Sequence, residues 1–424
     1  MTTGSTELID AGGSVAARPS DVFDPRQRAN PYPLYRALRE AGRHHWVAPQ
    51  APRILMLTRY EDCQRILTDP ALGHAVMADS PFRAVADEAG APQVGLQSML
   101  RANPPTHTRL RRLVSRAFTA GRVGRFGPQA RQLAAELLDD AVQRGEVDLI
   151  DAFARPLPLR VICTLLGVPA RDEEVFGGWA SALTRGIDPD QMLSAAERAA
   201  RAEATTAFAG YFTELIARRR AEPTDDLLSD LIAVQEQGDH LSGAELLELC
   251  VLLLVAGYET SVNLLAGAVL ALARDPEQYA ALRARPDLVP AAVEEALRFD
   301  PPIQWFGRTV LVDEVEIAGQ RLNAGEGVLA LAAATHRDPA VYPDPDRFDV
   351  TRYAGPTAPP RHFGFGQGIH YCLGAPLARL ETEIMLGAFV ERVARVEIAA
   401  EPAYRPHLSV RGPSTLPVRL TPAG

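Results

Sequence analysis

One stretch limits the fold of this chain more than any other. Ser242-Gly-Ala-Glu245 has the spacing of a capping box, in which the serine hydroxyl and the glutamate carboxylate each satisfy the other residue's backbone N–H. The apolar residues that follow predict a helix reaching about Arg274. The middle of that helix breaks its own pattern. Ala256-Gly257-Tyr258-Glu259-Thr260 sets a glycine, a carboxylate and a hydroxyl among leucines and valines. Glycine costs about 1 kcal/mol against alanine in a helix interior, and a buried carboxylate without a partner costs more. Breaks of this kind concentrate at functional sites. Two readings stay open. In one, Gly257 lets a ligand approach the backbone while Glu259 and Thr260 pass protons. In the other, Gly257 is a small packing residue, Thr260 bonds back to its own helix and Glu259 faces solvent.

The stretch His362–Glu381 is as unusual. A loop carrying Gly364, Gly366 and Gly368 delivers Cys372 to the start of a predicted helix. The glycines remove side-chain bulk and free φ, so a flat group can lie against the backbone. A helix N-terminus favours thiolate over thiol. Together these suit an iron ligand, with a buried structural cysteine as the alternative. Cys63, Cys163, Cys250 and Cys372 form no close pair, which excludes a disulfide framework and suits a reducing, cytoplasmic setting.

The chain of 424 residues, 47% hydrophobic, can bury a large core. Pro-rich stretches such as 300–302 and 357–360 are too short for linkers, so residues 21–424 read as one domain behind a disordered segment 1–20. A net charge of −9 argues against a nucleic-acid partner, and every one of the 44 basic residues is arginine. The N-terminus lacks an apolar signal core. The most apolar run, Leu246–Val255, contains Glu248 and meets Gly257-Tyr258-Glu259 too soon to span a bilayer.

Helical spacing predicts helices from Tyr32 to Ala41 and over 105–118, 128–144, 151–166, 191–220 and 290–299, with a further helix carrying Cys63. Strands are expected at 53–58, 310–317, 328–333 and after Val396, and a flexible loop at 74–101. His44 and His45 read as a solvated loop. The class is mainly α with small β-sheets.

Three further groups stand out. Glu295 and Arg298 form an i,i+3 pair. His107 and Arg111 share a helical face and, with Arg308, can clamp carboxylates. Arg109, Arg112 and Arg116 line another face of the same helix. Read alone, each is as consistent with solvated surface charge. The glycine loop fails the dinucleotide fingerprint, because Ile369 occupies its third glycine position. No phosphate loop, zinc motif or nucleophile elbow occurs.

Taken in order, these segments resemble the cytochrome P-450 family over nearly the whole chain. Phe365-Gly-Gln-Gly368-Ile-His370-Tyr-Cys372-Leu-Gly374 matches the haem-loop signature at every fixed position. Glu295/Arg298, the Ala256–Thr260 segment and Tyr342-Pro-Asp-Pro-Asp-Arg347-Phe348 match three further family segments in register. The resemblance implies the family fold, with haem b between the long helix and the cysteine loop. It makes Cys372 the iron ligand. His107, Arg111, Arg308 and His370 would hold the haem propionates, while Ala256, Gly257, Phe365 and Gly366 would lie against the haem. Glu259 and Thr260 would guide protons to dioxygen. Glu295, Arg298 and Arg347 would be structural.

The implied reaction inserts one oxygen atom of dioxygen into an organic substrate and releases the other as water. Oxidative aromatic coupling, or ligand binding without turnover, would use the same constellation. Electrons are expected from NAD(P)H through a separate reductase and a ferredoxin meeting Arg109, Arg112 and Arg116, with the enzyme a monomer. The substrate pocket is expected to involve 74–100, 177–192, 253–260, 303–306 and 408–410, with Met77, Leu253, Ile303, Gln304, Trp305, Phe306 and Ser409 as candidates. Met99 and Leu100 would add to its wall. Gln304-Trp305-Phe306 suggests an aromatic-lined, narrowed pocket. Tailoring of a bacterial polyketide, terpenoid or peptide is the role expected by analogy.

Overall fold

The computed structural model describes residues 17–50, 52–75, 99–118, 120–186, 188, 193–236 and 241–424. Order is established earlier than a disordered segment 1–20 would allow. Pro19–Phe23 forms a 3-10 turn that buries Val22. After it come α1 (Tyr32–Ala41), β1 (His44–Ala48), β2 (Ile54–Leu57), α2 (Tyr60–Thr68) and β3 (Leu72–Gly73). His44 and His45 are therefore on a strand, paired with Leu57 and Met56, and the His45 ring shares a 2.8 Å hydrogen bond with the Leu38 carbonyl. Most of the expected 74–101 loop, including Met77, lies outside the described residues.

The helical half begins with α3 (Thr106–Ala117), α4 (Ala120–Arg125) and α5 (Gly127–Arg144), followed by β4 (Glu146–Asp148). The helix expected over 151–166 is divided. A π-helical turn, Ile150–Ala154, precedes α6 (Pro156–Leu165). Pro156 has no N–H to continue a helical ladder, so the chain restarts there. Next come α7 (Glu173–Arg185) and α8 (Ala195–Ala221). The latter starts after Gln191 because Ser194 and Glu197 close a capping box.

After α9 (Leu227–Glu236), the long helix α10 (Gly243–Arg274) forms with both bonds of its own capping box, Glu245 N–H to Ser242 Oγ at 3.1 Å and Ser242 N–H to Glu245 at 2.7 Å. It is long and apolar enough to cross a membrane by length and composition. Its most apolar window is, however, 72% buried inside the fold. It is a core helix, packed against α6, α7 and α8 and against three later helices, α11 (Pro276–Ala284), α12 (Val289–Phe299) and α14 (Ala375–Arg392).

Between α12 and α14 lie β5 (Phe306–Val310), β6 (Val315–Ile317), β7 (Gln320–Leu322), β8 (Gly327–Ala330) and the short α13 (Ala332–Thr335). The strand expected over 328–333 thus ends at Ala330, where alanines with high helix propensity take over. The tail adds β9 (Val393–Ile398), β10 (Ala403–Tyr404), β11 (Pro413–Thr415) and β12 (Pro417–Pro422), with β12 between β4 and β9.

The largest sheet has the order β1-β2-β8-β5-β3. Strand β2 is apolar at every position because both of its faces are covered. Leu55 and Leu57 enter one core cluster, Ile54 and Met56 another. The helices share the largest cluster, and the expected fold class, mainly α with small sheets, is what forms.

Candidate active site

The cysteine loop is built by two turns. Gly366 (φ 66°) donates to Phe363 O at 2.8 Å, and Gly368 (φ 73°) accepts from Tyr371 N–H at 3.1 Å. Both angles lie where side-chain-bearing residues are strained. Cys372 N–H then closes on Phe365 O at 2.9 Å, two residues before the Gly374 cap of α14. The glycines do not all serve a flat ligand. A Cβ on Gly368 would sit 2.4 Å from Leu67 O, and one on Gly364 3.1 Å from Leu297 O. Protein backbone, not a cofactor, demands those two. A Cβ on Gly366 would meet nothing closer than 3.8 Å.

Burial raises the Cys372 thiol pKa; hydrogen bonding to the Gly374 and Ala375 backbone, together with Arg111 and Arg379, pulls it down without restoring the ordinary value. The helix N-terminus therefore offsets the desolvation that an apolar setting imposes, rather than generating a thiolate by itself. The other three cysteines are buried outright.

Both ends of the loop are fixed from α12. Glu294 meets His362 at 3.2 Å before the loop, and accepts from Arg379 at 2.6 and 3.0 Å after it. Arg379 also lies 4.5 Å over the Phe365 ring. His336, fully buried and held neutral by burial, accepts from Phe363 N–H at 2.7 Å. Glu294, His336, His362 and Arg379 carry no sequence signal as a group, because their partners are distant in the chain.

Next to the loop is a cluster of donors. Arg308, on β5, is buried with burial alone acting on it, and its pKa falls to about 10. The His370 ring lies 4.3 Å from His107 and 4.9 Å from His74. His107 Nε2 and His370 Nε2 are buried without a hydrogen-bond partner, and burial pushes His370 down to about 3 and His74 to about 2. Arg111, half-buried, feels the Cys372 sulfur. Concentrated donors in such a place fit a group bearing carboxylates, as haem does at its propionate edge. His74 belongs to this cluster, although the sequence placed it at the start of the 74–100 pocket stretch and not among the propionate residues.

The opposite wall is α10. Ala256 is exposed and Thr260 half-buried on one face, while Tyr258, Glu259, Ser261 and Val262 are buried. The Thr260 hydroxyl donates to Ala256 O at 2.6 Å. Gly257 does not share that face. A Cβ there would approach Ile162 of α6 at 3.3 Å, so helix packing selects glycine. Glu259 turns toward the C-terminal loop and does not face solvent. Its oxygens lie 3.1 Å from Arg405 Nη1 and 3.7 Å from His407 Nδ1, within ion-pair reach but not aligned as hydrogen bonds. Burial raises its pKa, with Arg405 the main opposing influence.

The family model for cytochrome P450 matches residues 189–398. Cytochrome P450 107B1 of Saccharopolyspora erythraea is 41% identical over 377 residues, covering 86% of this chain and 88% of its own.

The chain belongs to the cytochrome P-450 family.

A second relative, mycinamicin IV hydroxylase/epoxidase of Micromonospora griseorubida, is 40% identical over 87% of this chain and 90% of its own. The econazole-bound crystal structure of CYP164A2 from Mycobacterium smegmatis superposes with a TM-score of 0.83 at 39% identity, covering 94% and 98% of the two chains. The protein is a P-450 monooxygenase, an oxidoreductase whose family cofactor is haem.

Within this P-450 the structural triad differs from the sequence reading. Arg298 and Glu295 are wholly buried and joined by two 2.7 Å bonds. The third member is Arg352, donating to Glu295 at 3.1 Å. Arg347 contributes its backbone carbonyl to Arg298, at 3.1 Å, and exposes its side chain.

The substrate candidates also divide. Gln304 is buried and donates to Pro301 O at 2.5 Å. Trp305 packs beneath the sheet, edge-on to Phe23 at 6.0 Å. Of the Gln304-Trp305-Phe306 run expected to narrow the pocket, Gln304 and Trp305 turn into the protein and Phe306 alone is left toward the cysteine loop. Phe306 faces Gly366, Ile303 and Ser409 are half-buried, and Leu253 is buried on α10. Met99 enters the main core and Leu100 is exposed, so they do not form the expected wall together. Arg109 is committed to Glu245 of α10, whereas Arg112 and Arg116 are exposed.

Proposed function

We propose that this P-450 hydroxylates or epoxidises a bacterial secondary metabolite, with Cys372 supplying the thiolate ligand to haem iron. Bound haem supplies the iron at which dioxygen is activated and one oxygen atom is transferred to substrate. The observation that carries the reading is the meeting of Cys372 with buried donors lacking a partner of their own, His107 and His370, beside Arg111 and Arg308. These four residues take the propionates. Phe365 and Gly366 lie against the haem on the cysteine side, and Ala256 leaves room on the other.

Thr260 holds a proton-bearing hydroxyl at the α10 wall, already bonded to Ala256 O at 2.6 Å, and Glu259 recharges it. The substrate pocket draws on Leu253, Ile303, Phe306 and Ser409, and similarity to a mycinamicin IV hydroxylase/epoxidase favours a polyketide-type substrate. Electrons come from NAD(P)H through a reductase and a ferredoxin that meets Arg112 and Arg116. We place the enzyme in the cytoplasm, as a monomer with one catalytic domain.

The test uses the reconstituted holoenzyme. A spectral-shift screen of candidate natural products identifies ligands, and turnover under isotopically labelled dioxygen reads the product mass. One labelled oxygen per product supports insertion; a dimeric or desaturated product without label supports coupling; binding without product supports the non-turnover reading. Cys372→Ala is expected to lose the long-wavelength band of the thiolate-ligated carbon monoxide complex. Its retention would remove Cys372 as the ligand.

A further inference from the structure

Glu259 has a setting that the catalytic reading leaves unexplained. It is 2% exposed in an apolar helix, and a buried carboxyl of that kind needs partners to stay usable. Both of its nearest charged neighbours come from one segment, the loop between β10 and β11. Arg405 Nη1 lies 3.1 Å from Oε1 and His407 Nδ1 lies 3.7 Å from Oε2. Neither contact has hydrogen-bond alignment, and the Glu259 oxygens and His407 Nδ1 are buried without an aligned hydrogen bond. The arrangement holds the carboxyl in place without locking it into a closed, fully ionised pair.

The loop is itself tied down. Arg405 Nη1 reaches Asn263 Oδ1 of α10 at 3.3 Å. Directly after His407, the backbone N–H groups of Leu408 and Ser409 donate to the two oxygens of Asp188, at 2.7 and 2.9 Å. Asp188 is 3% exposed and receives Arg185 Nη1 at 2.7 Å. Arg185 Nε donates in turn to Glu197, the capping residue of α8, at 2.7 Å. A strut, part-exposed at Glu197 and buried at Arg185 and Asp188, therefore runs from the start of α8 to the amides beside His407, and so to Glu259. The other groups acting on Glu259 are the Thr184 hydroxyl, Asp188 and Arg155.

We propose that Arg405 and His407 are positioning residues for the Glu259 carboxyl, and that Asp188 holds them there by gripping the Leu408 and Ser409 amides. This rests on the reading of Glu259 as the group that recharges Thr260. A carboxyl that must give up and regain a proton needs a fixed place on α10, next in the chain to Thr260, and a partner that steadies its charged form. Arg405 provides the charge and His407 provides the second contact.

The experiment uses holoenzyme supplied with NADPH, reductase and ferredoxin, and needs no organic substrate. It reads hydrogen peroxide released per NADPH and the solvent isotope effect on NADPH consumption. Glu259→Gln is the reference. Arg405→Met and His407→Leu are expected to reproduce its raised peroxide yield and enlarged isotope effect, and Arg405→Lys to recover toward wild type. A role of the Arg405 side chain in packing alone, without its charge, would not give that recovery. Amide exchange on the same holoenzyme gives a readout independent of turnover. Asp188→Asn is expected to lose protection at Leu408 and Ser409 and to shift peroxide yield in the same direction. Wild-type values for Arg405→Met, His407→Leu and the milder His407→Asn, beside a defective Glu259→Gln, overturn the positioning proposal alone. A wild-type Glu259→Gln overturns the relay reading and the proposal with it.

Discussion

Thr260 and Glu381 show how one side chain can be assigned by its surroundings. The Thr260 hydroxyl already has an acceptor in its own helix, which matches the packing alternative as well as the relay. What favours the relay is its place beside exposed Ala256, within a stretch of α10 from Leu249 to Leu272 that is otherwise buried or half-buried. Thr260→Ala is expected to fold normally and to lower product formed per NADPH several-fold; unchanged coupling would remove Thr260 from the relay. Glu381 on α14 is a second buried carboxyl. Burial pushes its pKa to about 8, with the Ser261 hydroxyl opposing. The folded state thus keeps a proton that the unfolded chain releases. Stability from this group is full below about pH 4.5 and is lost as pH rises to about 8, at no more than about 1.4 kcal/mol per pH unit. Glu381→Gln should therefore gain thermal stability over wild type progressively between pH 5 and pH 8. A difference that stays constant over that range would contradict the assignment.

At the scale of elements, α12 organises the cysteine loop. Its two adjacent glutamates work in different directions. Glu295 joins Arg298 and, through it, the backbone carbonyls of His336, Pro345 and Arg347; Glu294 grips His362 and Arg379 on either side of Cys372. A buried pair of this kind contributes through geometry, because removing one partner strands a charge. Arg352 and Arg347 separate the two readings of the triad. Arg352→Ala removes bonds to Glu295 and to the Pro343, Asp344 and Arg347 carbonyls, and is expected to cost about 1–3 kcal/mol. Arg347→Ala, which leaves its backbone carbonyl in place, should stay within about 0.5 kcal/mol. Urea melts of the two variants decide it; equal losses would restore Arg347 to the triad.

Across the whole molecule, the fold sets a long apolar helix opposite the cysteine loop, with further helices packed around it. That is why a helix long enough for a bilayer is a core element here. The α3 surface remains the candidate contact for an acidic electron donor. Arg109 reaches Glu245, and Arg112 and Arg116 expose their side chains on the same helix, so the docking proposal is tested at those two. Reversing both, Arg112→Glu with Arg116→Glu, is expected to slow ferredoxin-supported reduction about tenfold or more at low salt, and much less at high salt, where exposed charges are screened. Equal rates at low salt would exclude this face.

The sequence by itself determined the class of chemistry. Cys372 in its loop, the polar break in α10 and the helical spacing of His107 and Arg111 are local patterns, legible because capping, glycine turns and helical periodicity act over a few residues. It determined most helices for the same reason. Only the tertiary structure decided directions: Gly257 toward Ile162, Trp305 beneath the sheet, Glu259 toward Arg405, and Arg352 in place of Arg347. Each direction is set by a packing partner, and several of those partners lie far away in the chain. Burial, which fixes what an acid or a thiol can do, exists only once those distant segments meet.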